Sequence, residues 1–192
     1  MCIHEAGHAL CYGLCNGIPE DATIGIDADA FNLAMGIVTL PKPRDPTEVT
    51  KRLLEWQMLM LMSGAAAERH FLGEDSVCRG GDMTAMSATA TLYLIAGYGE
   101  VYLPDATEEK EIAANRGVIY RLREEFSAKA DLLIQRNTER CRKFADDISR
   151  LEYLGSEEIA SMVTDIDDPW NEPLLCWPES IALFSPHTAA IK

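Results

Sequence analysis

The residues best suited to chemistry lie near the start of the chain, where His4-Glu5-Ala6-Gly7-His8 spells H-E-x-x-H. On a helix, residues four apart share a face, so both imidazoles can reach one cation. Glu5 projects from the adjoining position, close enough to contact a water on that cation without being a ligand, and is suited to take the water's proton. Imidazole and carboxylate ligands around one open position form the catalytic arrangement of zinc, which is the ion expected here. His4 and His8 account for half of the 4 histidines in the chain. In an apolar helical setting, a buried ionisable pair would be costly without a metal to hold.

A third ligand must come from elsewhere. Glu68, His70, Asp75, Cys78 and Asp82 carry suitable atoms, and spacing alone does not choose among them. Asp82 follows Gly80-Gly81 just before an apolar stretch, so it can equally serve as the cap of the helix that begins there. His70 reads as a surface or helix-end histidine, His187 as solvated, and Cys78 as a buried or idle thiol.

The elements that must position these groups follow from hydrophobic period and turn chemistry. Ile3, Gly7, Leu10 and Leu14 fall at helical spacing, predicting a buried helix from Cys2 to about Leu14. Between Ala22 and Pro41 the pattern changes, Ile24 and Ile26 alternating with small or polar residues and Gly36-Ile37-Val38-Thr39-Leu40 being β-branched and closed by Pro41, predicting two short strands. Asp45-Pro46-Thr47-Glu48 combines a cap, a first-turn proline and a carboxylate three residues on, predicting the start of a long helix that ends near Gly73. Within it, Gly64 to Ala67 form a small-residue patch that would let another helix approach closely. Further helices are expected over 83–96 and 107–154, the latter divided near Gly117 or Ser127 to Ala130. Its candidate core positions are Ile112, Ile119, Leu122, Phe126, Leu133, Ile134 and Phe144. Ser156 can cap a short helix reaching Val163, and the Pro-rich stretch from Asp165 is expected to be mostly irregular, with Trp170 and Trp177 packing it onto the rest.

Composition narrows the function. The chain has 192 residues, 47% of them hydrophobic and 25% charged, enough for one sizeable core. Its net charge of −14 opposes nucleic-acid phosphates and anionic membrane surfaces, so no nucleic acid is expected as a partner. The apolar run from Met58 to Ala67 falls well short of the ~20 residues of a membrane span, and no secretory leader pattern opens the sequence. A cytoplasmic location is the expectation. The 6 cysteines lack C-x-x-C spacing and read as free thiols. Acidic runs such as Glu108-Glu109 and Asp165 to Asp168 read as solvated faces, without the spacing of a calcium loop.

Taken together and in order, His4-Glu5-Ala6-Gly7-His8-Ala9-Leu10, the Gly36 to Pro41 strand, Ser63-Gly64-Ala65-Ala66-Ala67-Glu68, and Gly80-Gly81-Asp82 with Ala85 and Ala88-Thr89 resemble the peptidase domain of the FtsH family. That family comprises membrane-anchored, ATP-dependent zinc metalloproteases of the AAA+ class. The similarity continues more weakly through Leu133 to Asn137 and Leu154 to Ile159. It implies a mostly helical α+β, zincin-like domain over 1–164, with a small sheet beside the H-E-x-x-H helix and a Pro-rich tail over 165–192. It implies His4, His8 and Asp82 as zinc ligands, Glu5 as catalytic base, and Glu68 in a supporting role. The implied activity is metalloendopeptidase cleavage of peptides or unfolded proteins, held extended beside the Gly36 to Leu40 strand.

The departures qualify the match. No G-x-x-x-x-G-K-[ST] occurs in the sequence, so a separate AAA+ ATPase would have to supply any unfolding motor. Three residues precede His4, a shorter lead-in than the family has, so Met1 is read as an internal or artificial start. The tail has no recognised counterpart. The alternative reading is a degenerate module that binds metal or peptides without cleavage. Oligomeric state is left undecided by the sequence.

Overall fold

A computed structural model describes residues 2–27, 35–38, 43, 45–74, 80–172 and 175–184. Among these residues the chain is mostly helical with a small antiparallel sheet. The first helix, α1 (Cys2–Leu10), tightens into a 3-10 turn over Cys11–Leu14, so the expected helix is present with its last turn overwound. Ala6, Ala9 and Leu10 are fully buried, and α1 packs against elements on several sides. Small residues make that central position possible, because they let neighbouring backbones approach.

The sheet runs β2-β1-β3, with β1 (Ile24–Asp27) between β2 (Met35–Val38) and β3 (Tyr153–Leu154), both antiparallel to it. Ile24 stands opposite Val38 on one side and Leu154 on the other. The two predicted strands are present, the second beginning at Met35, while Thr39 and Leu40 lie outside the described residues. β3 was not expected, since the helical reading ran through Leu154. It arises because Glu152 turns left-handed (φ 60°) at the end of a helix and redirects the chain alongside β1.

The second helix, α2 (Lys51–Leu72), begins later than expected. Asp45 accepts a hydrogen bond from the Thr47 amide (2.8 Å), and Glu48 accepts one from the Asp45 amide (3.3 Å). That capping box closes only a 3-10 turn over Pro46–Glu48, because Val49 then extends (φ −78°, ψ 91°). Thr50 supplies the cap of α2, its hydroxyl accepting from the Leu53 amide at 3.2 Å. Gly73, at φ 79°, ends the helix where the sequence placed the stop.

Around α2 are α3 (Gly80–Ile95) and α4 (Glu109–Arg136), with α5 (Thr138–Leu151) on the other side of α1 and α6 (Ser156–Met162) following β3. The long helical stretch divides at Asn137, not near Gly117 or Ser127 to Ala130. The buried Asn137 side chain donates to the Leu133 and Asp167 carbonyls and accepts from the Asp167 amide, each at 2.9 Å, tying the break to the following chain. Phe126, Leu133, Ile134 and Phe144 are core residues and Ile119 and Leu122 are partly buried, whereas Ile112 is exposed. Gly155, not Ser156, occupies the cap position of α6.

Beyond Asp165 the described chain is irregular but docked. Cys15 bridges to Leu175 and Pro19 to Leu183. Trp177 is buried edge-on against Trp56 (4.9 Å between ring centroids) and donates its indole N–H to the Gly17 carbonyl. Cys2, Cys11, Cys15, Cys141 and Cys176 are free thiols, while Cys78 lies outside the described residues.

Candidate metal centre

The centre forms where three helices meet. α1 carries His4 and His8 one turn apart, their rings nearly perpendicular (79°) with centroids 4.7 Å apart. α1 lies so close to α2 that a Cβ built on Gly7 would stand 2.8 Å from the Ser63 carbonyl carbon and 2.9 Å from Ala67 Cβ. The small-residue patch therefore does permit close helix packing, and Gly7 is its counterpart. α3 contributes Asp82 from its first turn, inside the helix and not at a cap.

Asp82 Oδ2 lies 2.9 Å from His4 Nε2 and 3.5 Å from His8 Nε2. One ligand atom from each of the three residues falls within 4.8 Å of the others, and among the described residues this is the cluster with metal-ligand chemistry. His4, Glu5 and His8 are almost fully buried, at 3%, 4% and 4% exposure, whereas the Asp82 side chain retains 22%.

The far edge of each ring is also held. His8 Nδ1 is 2.7 Å from the Met60 carbonyl oxygen, and a carbonyl can only accept, so Nδ1 carries a hydrogen and Nε2 is the atom turned toward Asp82. His4 Nδ1 is 3.3 Å from Glu68 Oε1 but out of line for a hydrogen bond, so this buried contact is electrostatic. Glu68 thus stands on the opposite ring edge from Asp82. The Met60 carbonyl could not be picked out from the sequence, since every residue offers one. Gly64 was visible only as part of the small-residue patch, yet it faces both rings.

Charge and burial act on each group differently. Burial raises the Glu5 pKa, and the neighbouring His8 and His4 only partly offset this, so Glu5 holds its proton to higher pH than an ordinary carboxylic acid. For Asp82, burial also favours the neutral form, but hydrogen bonds and charge from His4 and His8 outweigh it and hold the carboxyl well below the usual range. Burial alone would lower the His8 pKa; Asp82, Glu5 and the Met60 carbonyl overcome it, and the net shift is upward.

These residues fit a zinc ion by their chemistry. Two imidazoles and a carboxylate are a common zinc donor set, His8 is held by Met60 with its Nε2 turned toward Asp82, and the space beside both Nε2 atoms is kept clear by the missing Cβ of Gly64. Of the other third-ligand candidates, His70 faces Thr138 Oγ1 at 3.0 Å on the surface, and Asp75 and Cys78 lie outside the described residues, as does His187. No protein-family model matches the chain, and no curated protein matches it.

Proposed function

We propose that this chain is a zinc metalloendopeptidase of the kind found in the FtsH family, which it resembles, with peptides or unfolded proteins as substrates. The observation that carries the reading is the convergence of His4, His8 and Asp82 on one point, with Glu5 buried beside them. His4, His8 and Asp82 would hold the ion. The chemistry zinc supplies in such a site is Lewis-acid activation of water and of the scissile carbonyl. Glu5, buried beside His4 and His8, accepts the proton of the attacking water and returns it to the leaving amine. The Met60 carbonyl holds the outer edge of the His8 imidazole by a hydrogen bond, and Glu68 lies behind that of His4 at 3.3 Å.

β2 lies at one edge of the sheet among the described residues and next to α1, so an extended peptide can pair with its backbone while lying beside the metal centre. These 192 residues contain no phosphate-cradling loop, so unfolding of folded substrates would fall to an AAA+ ATPase outside them, whereas peptides and unfolded segments need none.

A second reading has one observation in its favour. His4, Glu5 and His8 are 3–4% exposed, the closure typical of a metal held for folding. Glu5→Gln separates the two. The peptidase reading expects the variant to keep its metal, measured by elemental analysis, and to lose cleavage of an unfolded casein by at least about 100-fold. Loss of nothing, or no cleavage by wild-type protein carrying zinc, would favour the folding role.

A further inference from the structure

Gly64 lies on the buried face of α2, directly opposite the two ligand histidines. A Cβ built there would stand 2.6 Å from His4 Nε2, 2.7 Å from His8 Nε2 and 2.8 Å from His4 Cδ2, all closer than real Cβ contacts allow. Neither ring can move aside freely. His8 is anchored behind by Met60 and His4 is backed by Glu68, while Asp82 Oδ2 contacts both Nε2 atoms in front. A mid-helix glycine carries a propensity penalty that alanine would remove, so helix formation does not account for it. The neighbouring Ala65, Ala66 and Ala67 show that small side chains are accepted along this stretch.

We propose that Gly64 is a positioning residue of the metal centre: its bare Cα is the floor on which the two Nε2 atoms converge beside Asp82. The inference rests on the metal reading above. It assigns Gly64 a role distinct from that of Gly7, which faces the α2 backbone and not the ligand nitrogens. Alanine at 64 would leave His4, His8, Asp82 and Glu5 intact and still displace the ligand atoms.

The test is a cobalt(II) titration of metal-free wild type and Gly64→Ala, following the visible absorption that reports coordination geometry, together with urea unfolding of the metal-free proteins. Gly64→Ala is expected to bind cobalt about 10–100-fold more weakly, with an altered band, while keeping its helical circular dichroism. Wild-type affinity and an unchanged band in Gly64→Ala would overturn the proposal. A double-mutant cycle makes the result independent of metal. Gly64→Ala should destabilise the wild-type background and cost nothing in a His4→Ala, His8→Ala background, where the rings are gone. Equal destabilisation in both backgrounds would overturn the proposal. If Gly64→Ala fails to fold alone, folding of the triple variant supports it and failure of the triple variant refutes it. If wild type itself binds no cobalt, the metal reading falls and the cycle still decides whether Gly64 positions the rings.

Discussion

Gly7→Ala turns the motif into H-E-A-A-H, which still satisfies H-E-x-x-H, so motif matching predicts no effect. Helix propensity predicts a gain of about 1 kcal/mol from replacing a mid-helix glycine. The packing predicts the reverse. The new Cβ would meet the Ser63 carbonyl carbon at 2.8 Å and Ala67 Cβ at 2.9 Å, with the Ser63 carbonyl oxygen nearer than either. Ordinary contact begins at 3.4 Å, so α1 and α2 must part by at least about 0.6 Å at their crossing. Backbone cannot rotate aside as a flexible side chain can, so the overpacking cost falls near the top of the usual range, about 3 kcal/mol. Net of propensity, about 2 kcal/mol of stability is lost, which for a chain of this size lowers the thermal midpoint by about 4–8 °C. On the metal reading proposed above, the same displacement exceeds the ~0.2 Å tolerance of metal–ligand distances, so zinc affinity would fall although His4, His8 and Asp82 remain. Urea unfolding and chelator competition would measure both effects. A variant that gains about 1 kcal/mol and binds zinc normally would refute the claim that α1 and α2 touch here.

Three further outcomes follow from other parts of the molecule. Without metal, stability from the Asp82–His8 pair is present above the unfolded aspartate value of about 4 and lost as pH falls through its depressed folded value. On the other side it is present below the unfolded histidine value of about 6.5 and lost as pH rises through the raised folded value. Glu5, whose pKa burial raises, begins to cost stability at lower pH, as pH rises above its unfolded value of about 4. The thermal midpoint in chelator should therefore decline as pH rises above about 6.5 and flatten in Asp82→Asn, and a midpoint that rises with pH there contradicts the pairing. Asn137→Ala strips the Asp167 amide and carbonyl of their side-chain partner, and should cost about 2–3 kcal/mol in urea unfolding; a loss under about 0.5 kcal/mol would mean that the break is held otherwise. Burial pushes the Cys11 and Cys141 thiols up to about 12, and Cys15 is raised well above its ordinary value, whereas Cys176 is exposed. Mass-mapped alkylation at pH 8 should label Cys176 in the native state and the other three only in urea, and native labelling of Cys11 would place it outside the core.

Much of this was legible because it is local. The α1 face, the alternation of β1, the β-branched run of β2 and the Gly73 stop are each written in a few consecutive residues, and physical preferences at that range survive folding. What failed needed distant partners. Glu152 and β3 depend on pairing with β1, which no two-residue window can reveal. The Asp45 capping box is genuine, yet it closes one turn because Val49 extends before α2 begins. Helical period runs unbroken past Asn137, whose break is fixed by bonds to a residue 30 positions away. At the centre, His4 and His8 were readable as a pair, but Asp82 was one of five candidates by spacing. Its convergence with His4 across 78 positions is a tertiary fact.

The central placement of α1 also has a kinetic side. The helix that carries His4, Glu5 and His8 precedes its packing partners α2 and α5 in the chain, and its 3-10 extension accepts a hydrogen bond from Leu175 through the Leu14 carbonyl. Such contacts of high sequence separation form late, after long loops have closed. During synthesis the emerging chain therefore carries the histidine pair long before it carries a centre. The His4, His8 and Asp82 cluster waits on the arrival of Asp82, and a fully packed α1 waits on the chain as far as Leu175, so the finished centre would come as one of the last events of folding.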